Sequence, residues 1–254
     1  MAVIAVFNQK GGVGKTTTCL NISASLAMLG RNPLAIDLDP QAHLSIGCGY
    51  SVVASSESIS AFYRDEKALD ALIRYLPSGL RLIPSHPDLS KVDALLGKST
   101  SVAGKLKKGL EVKLAWEDAP VLIDCCPTLG VLSLNALFAA DRVLIPVSAD
   151  YLSMQGVHRL EAALNVLEGP LKRKIERSVV VTRFDSRRKL AHEVYDQLKE
   201  RYGQNLCDTR IAENVSLAES PARGQDIFSY APNSQGSQDY GALTMELLTK
   251  GFFE

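Results

Sequence analysis

The stretch FNQKGGVGKTTTC, Phe7 to Cys19, decides how this chain is organised. It follows the pattern G-x-x-x-x-G-K-[ST] of a phosphate-binding loop, except that Gln9 stands at the first glycine position. An apolar run at 2–7 precedes it and a helical pattern at 15–30 follows it. A strand before such a loop and a helix after it are the context that a working phosphate loop requires. We therefore expect a nucleotide site at this turn.

The residue types of the loop predict how it would hold phosphate. Glycines let backbone N–H groups turn towards phosphate oxygens, and the N-terminus of the following helix adds partial positive charge. Lys15 would neutralise phosphate charge, and Thr16 would offer its hydroxyl to Mg²⁺. The expected nucleotide-binding residues of the loop are Lys10, Gly11, Gly12, Val13, Gly14, Lys15, Thr16 and Thr17. Lys10 is a second lysine where one is usual, and the loop pattern does not explain it.

Strand-like and helix-like patterns alternate along the chain. Apolar β-rich runs lie at 2–7, 33–38, 119–125, 142–147 and 178–184. Helical patterns lie between them at 15–30, 131–140, 153–168 and 189–202. Fully apolar strands alternating with helices predict an α/β fold, a doubly wound and mostly parallel twisted sheet with helices on both faces.

The stretch 48–118 is the hardest part of the chain to interpret. It holds a short helix pattern at 68–76 and a lysine-bearing helix pattern near 101–113. No Pro/Gly linker separates it from the rest. We expect a surface excursion of the same domain, and therefore a single domain over 1–254.

Acidic residues end two of the predicted strands. IDLDPQ places Asp37 and Asp39 at the end of the second strand, and VLIDCCP ends a later strand on Asp124. Open α/β sheets bind ligands at the carboxyl ends of their strands. Asp124 suits a carboxylate that holds Mg²⁺ through water. The candidate metal residues are Thr16, Asp37 and Asp124.

Composition narrows the class of protein. The net charge is zero, so attraction to nucleic acid requires a local patch. The five cysteines have no C-x-x-C spacing, which favours reduced, buried thiols and a cytoplasmic location. The N-terminal apolar run is too short to span a bilayer and has no basic segment before it, so it does not have the pattern of a signal peptide.

The motifs together resemble a known family over nearly the whole chain. KGGVGKTT, DLDPQ, D-x-x-P-x-L-G and LNAL are similar to the ParA/MinD group of deviant Walker ATPases. Three further stretches resemble its ParA side: IPVSADYLSMQGV (145–157), N-V-x-L-A-E-x-P (214–221) and YAPNSQGSQDY (230–240). The resemblance implies a bacterial, cytoplasmic ATPase that uses ATP and Mg²⁺ and is nucleoid-associated in its ATP form.

The resemblance also implies a mode of action. ATP would drive formation of a homodimer that binds non-specific DNA weakly to moderately. A ParB-like or cargo adaptor would stimulate slow hydrolysis and release the dimer. The load would be a plasmid, a chromosome origin or a protein assembly, and the motifs do not distinguish between them.

Individual roles follow from the same resemblance. Lys10 would reach across the dimer to the ATP of the partner, which makes Lys10, Lys15 and Asp39 the candidate catalytic residues. Asp39 would position or activate the attacking water, and the region of Gly130 would sense the γ-phosphate. The base would lie against Thr182, Arg183 and Asn214. Ala212 stands where relatives commonly have the proline of P-x-N.

A basic run is the candidate DNA surface. Eight cations lie between Lys172 and Lys189, against Glu176 and Asp185. By the resemblance, Arg187 matches a DNA-contacting position, whereas Glu213 and Ser216 replace positions that are often basic. The candidate DNA-binding residues are Arg187, Arg188, Lys189 and Arg223. Such a run is also typical of an ordinary solvated surface.

Two other function classes share this fold. A MinD-like membrane switch would need a C-terminal amphipathic helix, but the chain ends in LLTKGFFE, with one lysine and no room for two turns. We therefore expect Phe252 and Phe253 to pack on the domain, without membrane binding. Iron–sulfur ATPases and amidotransferase-linked ligases are the other class. The adjacent Cys125 and Cys126 are too close for cluster ligation.

Overall fold

The computed structural model describes residues 2–51, 54–96, 104–114 and 119–254. Its strands are β1 (Val3–Val6), β2 (Leu34–Asp37), β3 (Arg74–Tyr75), β4 (Arg81–Ile83), β5 (Val121–Asp124), β6 (Arg142–Ser148), β7 (Glu176–Phe184) and β8 (Leu206–Ala212). They form one sheet in the order β3-β4-β2-β5-β1-β6-β7-β8. The β3–β4 pair is antiparallel and the other neighbours are parallel.

Helices connect the strands and cover both faces of the sheet. They are α1 (Lys15–Met28), α2 (His43–Gly47), α3 (Ile59–Tyr63), α4 (Leu89–Leu96), α5 (Lys105–Leu114), α6 (Val131–Ala139), α7 (Tyr151–Leu171), α8 (Lys189–Tyr202), α9 (Val215–Glu219), α10 (Ile227–Tyr230) and α11 (Gln235–Thr249). Of the helices in the described residues, none is long and apolar enough to cross a membrane. This architecture confirms the predicted doubly wound α/β class.

Alternation along the strands builds two apolar layers. Along β1, Val3 and Ala5 belong to one buried cluster and Ile4 and Val6 to the other. Successive side chains of a strand point to opposite faces, so a fully apolar strand supplies both layers. Helices α3 to α8 cover the first layer, and α1, α2 and α9 to α11 cover the second.

Strand register brings the acidic strand ends together. Strand β5 lies between β1 and β2, with Asp124 opposite Val6 on one side and Asp37 on the other. From β1 the chain continues to one side of the sheet, and after β5 it returns to β6 on the other side of β1. The phosphate loop leaves β1 at this reversal, where doubly wound sheets bind ligands.

The prediction of a helix at 68–76 is wrong. A single 3-10 turn at Asp70–Leu72 is followed by β3, and the backbone N–H of Leu76 bonds to the carbonyl of Leu80 across a turn. Gly79 takes a φ of 81° in that turn, a conformation that favours glycine. A hairpin onto β4 therefore overrides the local helical pattern.

The stretch 48–118, which was expected to be a surface excursion, contributes to both the sheet and the core. It supplies β3 and β4, and Leu69, Leu72 and Leu106 are buried in a core cluster. The lysine-bearing helix appears as α5, while residues 101–103 of that prediction lie outside the described residues. Strand β8 was missed because it is an edge strand with exposed polar residues among its apolar ones.

The C-terminal aromatic pair packs on the domain. Phe252 and Phe253 are buried in the cluster beneath α1 and α11, and their rings meet edge to face at 5.8 Å. The prediction that they pack on the domain is confirmed.

Candidate nucleotide site

The phosphate loop is shaped by two left-handed glycines. Gly12 has φ 73° and Gly14 has φ 84°, and Gly14 caps the N-terminus of α1. The intervening Val13 is buried, and its carbonyl accepts a 2.9 Å hydrogen bond from Thr182 Oγ1. This bond links the phosphate loop to the end of β7. The loop is therefore held by β1 and α1, which it joins, and by β7.

Lys15 is buried at the first turn of α1. Its Nζ donates a 2.9 Å hydrogen bond to the carbonyl of Lys10, across the loop. Burial lowers the pKa of Lys15, while Asp124 and Asp39 oppose that effect. An ammonium group with one backbone partner and little solvent is suited to bind phosphate oxygens.

A cavity of about 760 Å³ opens beside the loop. Three segments supply most of its lining: the loop with Lys15 and Thr16, the segment 39–43 after β2, and the segment 126–128 after β5. Ser90 of α4 and Leu132 of α6 complete it. Asp39 lines the cavity, as predicted for a residue that orients water. His43, Ser90, Cys126 and Thr128 also line the cavity and were not predicted as site residues. Cys126 and Thr128 occupy variable positions of the D-x-x-P-x-L-G motif, whereas His43 and Ser90 lie outside the quoted motifs and are brought here by packing.

Thr16 and Asp124 form the part of the site that fits a metal ion. Thr16 Oγ1 donates a 2.8 Å hydrogen bond to Asp124 Oδ2, whereas the buried Asp124 Oδ1 has no hydrogen-bond partner. Burial and the neighbouring Asp37 raise the pKa of Asp124 well above its ordinary value. A cation near the unpartnered oxygen would relieve that cost.

The donor set suits Mg²⁺ held together with nucleotide. Within the described ranges, no three or more His, Cys, Asp or Glu side chains are grouped to hold a metal by themselves. Mg²⁺ in nucleotide sites typically takes one or two protein oxygens and completes its shell with phosphates and water. Thr16 and Asp124 fit that pattern.

Asp37, the third predicted metal residue, lies behind the cavity lining and supports the segment after β2. It is fully buried beside Asp124, and its Oδ2 accepts bonds from Ser45 N at 2.8 Å and Ser45 Oγ at 2.7 Å. Its Oδ1 accepts from Asp39 N at 3.1 Å. Burial raises the pKa of Asp37 to about 6. These bonds anchor the segment that carries Asp39, and the metal role of Asp37 stays a prediction.

Lys10 does not line the cavity of its own loop. Its Nζ lies 2.5 Å from Asp150 Oδ1, at the end of β6. Its backbone N–H donates to Asn8 Oδ1 at 3.0 Å, and Asn8 Nδ2 donates to the carbonyl of Pro146. The two lysines of the loop therefore point to different places.

A second cavity, of about 310 Å³, lies on the other side of the loop. It brings together the three predicted base-contacting residues, Thr182, Arg183 and Asn214, and shares Gly12 and Gly14 with the first cavity. Asn214 caps α9 by accepting a 2.9 Å bond from Ser216 N. Arg183, in a left-handed conformation with φ 52°, pairs with Glu213 at 3.1 Å.

The basic run divides into two groups at opposite ends of β7. Lys172, Arg173, Lys174 and Arg177 lie at its start, and Arg183, Arg187, Arg188 and Lys189 lie at its end. A strand of nine residues spans about 30 Å, so the eight cations do not form one patch.

Of the two groups, the second lies next to the nucleotide site, and its arginines form ion pairs with acidic residues. Arg187 bonds Asp185 through Nε and a terminal nitrogen, both at 2.9 Å, which lowers the pKa of Asp185 to about 2. Arg188 lies 3.2 Å from the same carboxylate. Arg223 lies in a different segment, a 3-10 turn that packs against α2 and α9. Arg187, Arg188 and Lys189 lie together after the end of β7.

Comparison with known proteins agrees with this geometry. A family model described as an AAA domain matches residues 1–177. The chromosome partitioning protein ParA of Caulobacter vibrioides is 33% identical over 253 residues, covering 98% of this chain and 95% of its own. The chromosome-partitioning ATPase Soj of Thermus thermophilus is 37% identical over 250 residues, covering 97% and 95%. The chain belongs to the ParA family of ATPases.

Solved structures give the same fold. The cobyrinic acid a,c-diamide synthase of Mycobacterium smegmatis, with bound ADP and magnesium, superposes with a TM-score of 0.83 at 28% identity, covering 98% of this chain and 94% of that one. The same protein has also been solved with an ATP analogue and magnesium. Membership of the ParA family, with these structures, confirms the predicted ATPase activity and the predicted cofactors, ATP and Mg²⁺.

Proposed function

We propose that this ParA-family ATPase is an ATP-dependent dimerising switch that partitions or positions DNA or a large protein cargo. Its slow hydrolysis would be stimulated by a ParB-like protein or a cargo adaptor. Relatives at 33–37% identity carry the names of chromosome-partitioning proteins, which supports this function. The observation that carries the proposal is the position of Lys10, outside its own phosphate cavity.

Within one chain the site is suited to bind nucleotide. Mg²⁺ held by Thr16 and Asp124 would neutralise charge that develops on the phosphates. Lys15, with Thr16 and Asp124, would hold the triphosphate and its metal. Asp39 would orient the attacking water from the cavity wall. These four residues complete the binding site but bring a single side-chain cation to the phosphates.

The second cation would come from a partner. Lys10 is held at the rim by Asp150, with its side chain 27% exposed. In a face-to-face dimer, each Lys10 would leave Asp150 and reach the triphosphate of the opposite chain. A cation supplied in trans stabilises transition-state charge only when the two chains meet. Hydrolysis would therefore depend on the dimer.

The test separates dimerisation from ATP binding. Asp39→Ala protein with Mg·ATP should form a dimer by light scattering, and adding Lys10→Ala should reduce dimer affinity by at least about tenfold, because two charged contacts, one from each chain, are lost. The affinity for ATP, by calorimetry, should stay within about twofold. Lys174→Ala is the matched control, since Lys174 is exposed at the far end of the sheet. Equal dimer fractions with and without Lys10 would contradict the role in trans.

DNA is the proposed binding partner of the ATP dimer. Arg187, Arg188 and Lys189 would supply sequence-independent contacts, doubled when two chains join. The partly neutralised charge of this group predicts weak binding, because affinity depends steeply on the number of phosphates neutralised. A protein scaffold is the alternative surface if DNA does not bind.

A second candidate function comes from the similarity to the Mycobacterium smegmatis amide synthase. The same nucleotide cavity could serve amide synthesis, in which a carboxylate takes the γ-phosphoryl group of ATP, ADP leaves, and ammonia then displaces inorganic phosphate from the acyl phosphate. Incubation with Mg·ATP, cobyrinic acid and ammonia, followed by mass spectrometry, decides it. We expect no mass change in the acid, and a stoichiometric amide product would favour the synthase.

A further inference from the structure

The first two turns of α11 contact three walls of the second cavity. Asp239 Oδ2 accepts a 2.8 Å hydrogen bond from the backbone N–H of Ala212, at the end of β8. The next residue, Tyr240, is buried with its hydroxyl 3.1 Å from Thr18 Oγ1 of α1. Gly236 packs so closely on Leu217 that a Cβ there would lie 2.7 Å from Leu217 Cγ.

These contacts give a structural role to Gly236, Asp239 and Tyr240 of the motif YAPNSQGSQDY. Ala212, Leu217 and Tyr240 line the second cavity, whereas Asp239 does not. Asp239 therefore acts on the cavity only through the backbone that it holds. Its other oxygen, Oδ1, accepts a 2.7 Å bond from Gln235 Nε2, one helical turn earlier, which orients the carboxylate.

Two backbone bonds hold the segment at Ala212: the one from Ala212 N to Asp239, and one from Glu213 N to the carbonyl of Phe184 at 3.2 Å. Glu213 and Asn214 follow Ala212 directly, and together these three residues form one wall of the second cavity. The side chain of Ala212 is small and, unlike a proline ring, does not fix φ. The residue itself therefore restricts the backbone little at this point. A carboxylate bond to its N–H is charge-assisted, and such bonds are about twice as strong as neutral ones.

We infer that Asp239 is a positioning residue for the nucleotide base, holding the 212–214 wall against which the base rests. The inference relies on the proposed placement of the base in the second cavity. Asp239 would affect recognition of the base and leave recognition of the triphosphate unchanged.

The same helix offers a matched control. Glu246 lies seven residues after Asp239, two turns along α11, and accepts bonds from Asp208 N at 2.8 Å and Thr209 N at 2.9 Å. It therefore makes the same kind of carboxylate contact to the backbone of β8. Asp208 and Thr209 do not line the second cavity, so Glu246 supports the helix–strand packing without supporting the base wall.

Calorimetry with two ligands on the full chain tests the inference. Mg·ATP and Mg·tripolyphosphate share the phosphates, and only ATP has the base. Asp239→Ala should weaken ATP binding about tenfold, the effect of one charge-assisted hydrogen bond, and change tripolyphosphate binding by no more than about twofold. Asp239→Asn should restore most of the affinity, since an amide oxygen still accepts from Ala212. Glu246→Ala should lower the Tm and leave both affinities unchanged.

Each other result has a distinct meaning. Equal weakening for both ligands, or the same loss of ATP affinity in Glu246→Ala, would overturn the inference in favour of a general structural role. Gln235→Ala keeps the carboxylate and removes its orienting partner, so it serves if Asp239→Ala does not fold, with about a threefold loss for ATP alone expected. A wild-type protein that binds ATP no more tightly than tripolyphosphate would overturn the base placement itself.

Discussion

Thr16 and Asp124, 108 positions apart in the chain, are joined by a 2.8 Å hydrogen bond between the start of α1 and the end of β5. The bond occupies one oxygen of Asp124 and leaves the other buried without a partner. Asp37 lies opposite Asp124 in the β2–β5 register and shares its burial. The free protein therefore holds two adjacent buried acids, an arrangement that is costly unless they are protonated or a cation is bound.

Asp124→Asn should have opposite effects on the free and the liganded protein. At pH 8 the substitution removes a buried charge, so we expect the free protein to be at least as stable as wild type. The stabilisation by Mg·ATP should be largely lost. The two Tm values, measured with and without Mg·ATP, check both expectations, and ATP with EDTA is the control. A lower Tm in the free variant would contradict the first expectation.

The pH dependence of the free protein should reflect the same pair. The pKa of Asp37 is raised to about 6 and that of Asp124 is also raised, so the folded state binds protons more tightly than the unfolded chain. Their contribution to stability is complete below the ordinary carboxyl pKa and is lost as pH rises through the raised values. The stability advantage of Asp124→Asn over wild type, measured by urea unfolding, should therefore shrink as pH falls through the raised pKa values towards the ordinary carboxyl range. An advantage that is constant with pH would show that the pair ionises normally.

Lys15→Ala and Asp39→Ala should separate binding from hydrolysis. Lys15 is buried at the loop, so its loss should weaken ATP binding by about a hundredfold, as for loss of a charged contact. Asp39 lies on the cavity wall, and its loss should leave the affinity within about threefold while hydrolysis falls by about a hundredfold. Calorimetry and phosphate release measure the two effects. Hydrolysis that survives in Asp39→Ala would move the water-orienting role elsewhere.

Charge reversal at the two ends of β7 should distinguish a DNA surface from general basicity. Arg187→Glu with Arg188→Glu should abolish DNA binding by the ATP-locked Asp39→Ala protein in fluorescence anisotropy at about 50 mM salt. Lys172→Glu with Lys174→Glu makes the same change in net charge at the opposite end and should leave binding within about twofold. Equal losses in both pairs would indicate that only net charge matters. No binding by the parent protein would rule out this DNA surface.

Gly224→Ala should destabilise the fold through one close contact. Gly224 has φ 64°, and an added Cβ would lie 2.7 Å from Gly49 Cα, in the segment that follows α2. Gly79, with φ 81° and open space around it, isolates the backbone effect. We expect about 1 kcal/mol of lost stability for Gly79→Ala and about 3 kcal/mol for Gly224→Ala by denaturant unfolding. Similar losses for both variants would mean that the turn at Gly224 shifts enough to avoid the contact with Gly49.

The local sequence was sufficient to predict the frame of the site. The apolar runs predicted the five central strands, and the glycine pattern between a strand and a helix predicted the phosphate loop. Both depend on interactions within a few residues, namely side-chain alternation and backbone conformation. The hairpin of β3 with β4 and the edge strand β8 were not predicted, because their short or mixed patterns become strands only by pairing with a neighbour.

Partners far apart in the chain were decided by the tertiary structure alone. The contact of Lys10 with Asp150 joins positions 140 apart, and that of Asp239 with Ala212 joins a helix to a strand end. The split of one basic run into two groups likewise follows from the nine residues of extended β7 between them. A sequence pattern records which residues are near one another along the chain. The direction of a strand and the packing of a helix decide which of them meet in space.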